Sequence, residues 1–236
     1  MFYYYGRKKQ LSRLYPDPVC DVIIEPFAGA AAYSLKGDNW RKEVHLIELD
    51  PRVAEIWKWL IEDASPAEIQ ALPDLKVGEK SSEFLHIIHA ATKMAFAYKT
   101  IKVTPVLERN WEISKRVMAE SVPKVKHWTI TCGDYRSAAD VEATWFIDPP
   151  YRGELGRGYK FSSDGIDYDS LATWIKARKG QVIACEGPNG SYLPFQPLIT
   201  HMGVAGKQSE ERVWIRDDVS LFSNRLIDID DPRLAS

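Results

Sequence analysis

The stretch "CDVIIEPFAGAAAYSL" (residues 20–35) decides how this chain is read. Val22, Ile23 and Ile24 form a short apolar run of the kind buried on both faces of a parallel sheet. Pro26 and Gly29 break the run, and the small residues Ala28 to Ala32 then predict the start of a helix. The plan repeats at "EVHLIELDPRVAEIWKWLIEDA" (residues 43–64): a strand through Ile47, acids at its end, then a helix with Pro51 in its first turn. Val53, Ile56, Trp57, Leu60 and Ile61 supply the apolar stripe of that helix.

From about Ala64 to Pro123 the rhythm changes. Two helical stretches, near 82–99 and 109–119, flank a "KVTPV" break, and no strand alternates with them. Strands return at "HWTITCGD" and "ATWFIDPP". A helix near 169–179, stopped by Gly180, leads to the strand "QVIACEG", and "ERVWIRD" reads as a last sheet segment. The fold expected is α/β, an open Rossmann-like sheet from residues 1–63 and 124–236, with 64–123 as a helical insertion.

Bulk properties are those of a soluble globular protein: 236 residues, 45% hydrophobic, 27% charged. No apolar run approaches the roughly 18 residues of a membrane span, and residues 1–13 lack a signal-peptide core, so no membrane partner is expected. Cys20, Cys132 and Cys185 lie far apart, without zinc or disulfide spacing, which fits a reducing, cytoplasmic setting. The net charge is only -2, but residues 93–126 carry eight Lys/Arg against three Glu. Such a run is either a solvated helical face or a surface for a polyanion.

Ligands of open parallel sheets sit beyond the carboxyl ends of the strands. Glu25, Glu48 with Asp50, and Asp134 fall at those ends, and the "FAGAAAY" turn leaves a ligand room against the backbone. Helix capping accounts for Asp50 ahead of Pro51 but less well for Glu48, which is therefore assigned to ribose hydroxyls. The turn is not G-x-G-x-x-G and has no P-loop lysine, so it suits a nucleoside without phosphates, such as S-adenosylmethionine. A sulfonium is at home among carboxylates.

"WFIDPPY" (residues 145–151) ends an apolar strand on an acid and two prolines. A chance "DPPY" in this length is roughly a one-in-a-thousand event, which favours a site over an exposed turn. Asp148 and Pro149 each precede a proline and are pushed to extended backbone. The Asp148 side chain and the Pro149 carbonyl can then act together as two rigid acceptors for an exocyclic NH₂, with Tyr151 as a flat face for its ring. An aromatic amine has its lone pair delocalised; two fixed acceptors favour a tetrahedral nitrogen and stabilise the charge that grows as it takes a methyl group. In-line transfer from a sulfonium needs chiefly orientation, without a metal.

With "YYYGRKKQLSRLYP", "EPFAGAAAYSL", "IELD" and "FIDPPY" in this order, and "KQSEERVWI" near the end, the chain resembles the D12-class (alpha-group, Dam-like) adenine-specific DNA methyltransferases. The resemblance implies a seven-stranded, class I methyltransferase sheet, S-adenosylmethionine as donor, and a target adenine flipped out of double-stranded DNA and methylated on N6. It implies Tyr5, Lys8, Phe27, Gly29, Glu48 and Asp134 at the cofactor, beside Glu25. The same resemblance makes Asp148, Pro149, Pro150 and Tyr151 the catalytic tetrapeptide and the 64–123 block the target-recognition region. Ala31 stands where many members have a second glycine, and Arg7 where the N-terminal motif often has one. A stand-alone monomer, bacterial or phage-borne, fits the size, and the sequence does not reveal a restriction partner.

Lys99, Lys102, Arg109, Lys115 and Arg116 are candidates for phosphate contacts, which position DNA without reading it. "YRGELGRGYKF" reads as a loop closing over the flipped base, with Tyr159 and Phe161 as contacts, or as a plain connection. His86 and His89 fit core or surface histidines better than metal ligands. The alternatives to adenine in DNA are an RNA or cytosine-N4 acceptor, or a catalytically silent DNA-binding protein of the same fold.

Overall fold

A computed structural model describes residues 1, 2, 4, 6, 8, 10–81, 101–202 and 208–216. In chain order its strands are β1 (Val22–Glu25), β2 (Glu43–Glu48), β3 (Lys80–Ser81), β4 (Ile101–Lys102), β5 (Thr129–Cys132), β6 (Glu142–Ile147), β7 (Lys179–Glu186), β8 (Gln196–Met202) and β9 (Gln208–Ile215). The α-helices are α1 (Pro51–Glu62), α2 (Pro66–Gln70), α3 (Pro105–Ser121) and α4 (Tyr168–Lys176). Seven strands make one mixed sheet, β5-β2-β1-β6-β7-β9-β8, compatible with a Rossmann-like fold. The pairs among β5, β2, β1, β6 and β7 are parallel, and β9 runs antiparallel to both β7 and β8.

Residues alternate faces along a strand, so the unbroken "WFI" run requires cover on both sides of the sheet. Phe146 joins Ile23, Leu46 and Ile183 in a cluster with Val53, Ile56, Trp57 and Leu60 of α1. Trp145 and Ile147 point the other way, with Ile24, Val182 and Ala184, onto Leu171, Ala172 and Ile175 of α4. Asp50 caps α1 by accepting from the Arg52 amide at 3.1 Å, the role expected of it.

No regular helix forms after β1. The chain turns instead, with Gly29 at φ +45° and Ala31 at φ +47°. A run of small residues favours a helix only while φ stays negative, and two left-handed residues prevent it. Long-range contacts hold the turns: Tyr33 stacks on Phe146 (4.4 Å between centroids, 2° between planes) and donates to the Pro16 carbonyl at 2.8 Å.

Other boundaries also moved. "KVTPV" is a helix start rather than a break: Thr104 caps α3 through the Leu107 amide at 3.2 Å, and Pro105 takes the first turn. Two short strands, β3 and β4, form a ribbon within the insertion. Residues 82–99, with His86, His89 and Lys99, lie outside the described residues. The insertion shares the main core, since Ile69, Leu75, Trp111 and Met118 belong to the cluster of Val53 and Trp57. Among the described residues no helix is long and apolar enough to cross a membrane.

Helix α4 ends at Lys176, and Gly180 lies inside β7 opposite Ala143. Its φ is +89°, and a Cβ there would stand 2.4 Å from the Ala143 carbonyl oxygen. Close approach of β6 and β7, rather than helix termination, therefore demands glycine. Gly180→Ala should cost more than about 2 kcal/mol in urea unfolding; a loss under about 0.5 kcal/mol would contradict this.

Candidate functional site

The strand order turns back between β1 and β6, and crevices at such switch points hold ligands. A cavity of about 410 Å³ opens there, within the usual range for small-molecule sites. Its lining includes Lys8, Glu25, Phe27, Gly29, Glu48, Asp134, Asp148, Pro150 and Tyr159. Sequence-distant candidates thus meet at one opening. Tyr5 lies outside the described residues, while its neighbour Tyr4 lines the wall.

At the end of β2, Glu48 is 7% exposed. One carboxylate oxygen accepts from the Gly29 amide (3.0 Å), the other from the Asp50 amide (2.9 Å). These bonds tie the turn after β1 to the end of β2. A carboxylate offers about four acceptor positions, so capacity for further hydroxyl donors remains. Glu25, 2% exposed, accepts from the Ser34 amide at 2.8 Å. Burial pushes both carboxyls up to about 7, against the lowering effect of those hydrogen bonds.

Asp134 caps a short 3₁₀ turn through the Arg136 amide (3.0 Å) and pairs with the Arg136 guanidinium at 2.6 Å. Partial burial raises its pKa, but Arg136 outweighs that and holds the carboxyl below the usual range. Beside it Phe27 stacks on Tyr135 with centroids 5.5 Å apart, giving the cavity a flat apolar wall. Across the mouth, Lys160 reaches to 3.9 Å from Asp50, and the Tyr159 ring lies 6.1 Å from that of Tyr4. The loop after the tetrapeptide therefore covers this cavity.

Asp148 stands at the end of β6 with its side chain 18% exposed, and the Lys8 ammonium is 2.9 Å from its Oδ1. The contact is an ion pair without aligned hydrogen-bond geometry. Burial acts to lower the Lys8 pKa, but Asp148 and then Glu211 outweigh it, leaving the pKa above the ordinary lysine value. The Tyr151 hydroxyl donates to Glu211, and Lys8 Nζ lies 4.5 Å from the Tyr151 ring centroid. One face of that ring therefore carries a cation. The Tyr168 hydroxyl donates to the Pro150 carbonyl at 2.7 Å, and Glu186 accepts from the Arg152 amide at 3.1 Å. The tetrapeptide is held along its backbone and through its tyrosine. Ligand atoms of Asp148, Cys185 and Glu211 lie within 4.8 Å of one another, and the Lys8 ammonium brings positive charge to this group.

Lys102, Arg109 and Arg116 are exposed on the insertion, away from the cavity lining. Lys115 is engaged internally, donating to the Leu72 carbonyl at 3.1 Å and to Asp74. Sequence reading missed Glu211, Glu186 and Tyr168. Glu211 did carry a signal: with Val213 and Ile215 it shares one face of a strand, an acid where an apolar residue was due. No protein-family model and no curated protein sequence matches the chain.

Glu25, Glu48 and Glu186 all have carboxyls pushed from 4.5 to about 7 chiefly by burial. Between those values the unfolded chain binds fewer protons than the folded one, so this contribution is present below about pH 4.5 and lost as pH rises through about 7. Glu186→Gln, outside the cavity, should flatten the fall in melting temperature between about pH 5 and pH 8. A pH dependence identical to wild type would contradict the shift.

Proposed function

We propose that this protein transfers a methyl group from S-adenosylmethionine to the exocyclic N6 of adenine in double-stranded DNA. The observation that carries the reading is the placement of Asp148, at the end of a central strand and on the wall of the acid-lined cavity that Glu48 closes. The seven-stranded sheet has the strand number that the resemblance to D12-class methyltransferases implies.

The cavity chemistry fits the donor. Acids (Glu25, Glu48, Asp50, Asp134, Asp148, Asp167) outnumber cations (Lys8, Arg136, Lys160) along the lining, which disfavours a pyrophosphate and suits a sulfonium. Glu48 offers its remaining acceptor positions to ribose hydroxyls, and the Phe27–Tyr135 wall offers a face to an adenine ring. When bound, S-adenosylmethionine supplies the activated methyl group. Asp148 and the Pro149 carbonyl orient the acceptor amine and favour a nitrogen whose lone pair is available. Because Lys8 holds Oδ1, the carboxylate keeps its second oxygen for an N–H donor. Burial around Pro149 and Phe146 limits water next to that acceptor.

The DNA acceptor rests on exposed Lys102, Arg109 and Arg116, which suit phosphates, and on the need to bring a base out of the stack to reach Asp148. Incubation with labelled S-adenosylmethionine and unmethylated DNA or RNA, followed by identification of the modified base, tests the reading. N6-methyladenine in DNA should form, and Asp148→Ala should slow transfer about 10²–10³-fold. Label in RNA or at cytosine N4 would overturn the acceptor, and DNA binding without any transfer would make the protein a silent binder.

A further inference from the structure

Glu211 lies on β9, far in sequence from the other residues of the cluster, and is 3% exposed. Its Oε1 accepts from the Tyr15 hydroxyl at 2.6 Å and from the Tyr151 hydroxyl, and stands 3.9 Å from Lys8 Nζ. One buried oxygen thus gathers the N-terminal segment, the tetrapeptide and the antiparallel strand. Among the described residues, the charged and titratable groups around it include Lys8, Asp148, Tyr15, Tyr151 and Cys185. Glu211 is absent from the cavity lining, and so is Tyr15, which packs edge-on against Phe146 with centroids 5.0 Å apart.

We infer that Glu211 is a positioning residue: by holding the Tyr151 hydroxyl and facing Lys8, it fixes the ammonium against Asp148 and so sets the direction of the free carboxylate oxygen. This inference rests on the proposed amine methylation at Asp148. The geometry leaves little alternative use for the acid. A buried carboxylate that accepts two phenols and faces a lysine is satisfied only if all three are in place. Removing its oxygen frees the Tyr151 ring and lets Lys8 swing away from Asp148. Small misplacements at a reacting centre act on the chemical step rather than on binding.

The chain of contacts makes Tyr15 a reporter, since its hydroxyl donates to the same Glu211 oxygen that holds Tyr151. Glu211→Ala should lower kcat about 30–100-fold while KM for S-adenosylmethionine and for DNA stays within about threefold. Glu211→Gln keeps an acceptor oxygen and should recover activity to within about fivefold of wild type. Tyr15→Phe should lower kcat about 3–10-fold alone and add no loss in the Glu211→Ala background. Independently of activity, Lys8 should resist acetylation by acetic anhydride in the wild type, read by peptide mass spectrometry. It should become about tenfold more reactive in Glu211→Ala, and remain protected in Glu211→Gln.

Unchanged Lys8 labelling in Glu211→Ala would overturn the inference whether or not the protein transfers methyl groups. An effect on KM instead of kcat, or additive losses in the double variant, would overturn it as well. Absence of transfer by the wild type with the labelling change intact would reject the proposed function and leave the positioning role standing.

Discussion

An ion pair between a buried lysine and a half-buried acid organises this molecule: the Lys8 ammonium, from the first few residues, sits 2.9 Å from the carboxylate of Asp148 at the end of the central strand. Charges taken from water are costly unless they find a partner, and breaking such a pair leaves one of them stranded. The N-terminal segment is therefore part of the site. It is also anchored independently, because Phe2 packs on Trp57 with centroids 5.4 Å apart. Trp57 in turn donates to the Gly29 carbonyl at 2.8 Å, so one buried helix residue connects the N-terminus to the turn that forms the cavity floor.

The cavity exists because the chain after β1 turns instead of continuing into a helix. Ala31 takes a left-handed φ of +47°, a conformation that costs an L-residue roughly 1–2 kcal/mol. Glycine takes such a φ without that cost, so the backbone strain here is particular to alanine. Stacking of Tyr33 on Phe146, and the Ser34 amide bonded to Glu25, offset the strain. With the turn held open, Glu48 reaches the Gly29 amide, and acids from four strand ends (Glu25, Glu48, Asp134 and Asp148) face one space. Burial raises the proton affinity of Glu25 and Glu48, so a cationic ligand arriving there would favour their ionised forms.

Much of this was legible in the sequence, and the failures have identifiable causes. The inner parallel strands β1, β6 and β7 are legible as apolar runs ending in acids, since burial on both faces leaves no room for alternation, whereas β5 at the edge is exposed and carries no such run. Asp148 was legible because two prolines at a strand end leave few structural explanations. Strand β8 was not legible, because Pro197 lies within it and proline is tolerated in a sheet only in special places such as an edge. Gly180 was read as a helix stop because its neighbours are local, whereas the contact that requires it, Ala143, is 37 positions away on β6. Lys115 looked like a phosphate ligand until folding brought Asp74 beside it. Glu211 stands out in "SEER" only as an acid on the apolar face of a strand, and the convergence of Tyr15, Tyr151 and Lys8 gives it a place.

The proposed methyl transfer requires the acid-lined cavity and the Asp148 end to be two halves of one reaction site. Calorimetric binding of a bisubstrate analogue tests it most directly: adenosine joined through its N6, by one carbon, to the position of the donor sulfur. The analogue should bind at least about tenfold more tightly than S-adenosylmethionine alone, with the gain lost in Asp148→Ala. Binding no tighter than the donor alone, or a gain that survives in Asp148→Ala, would contradict it.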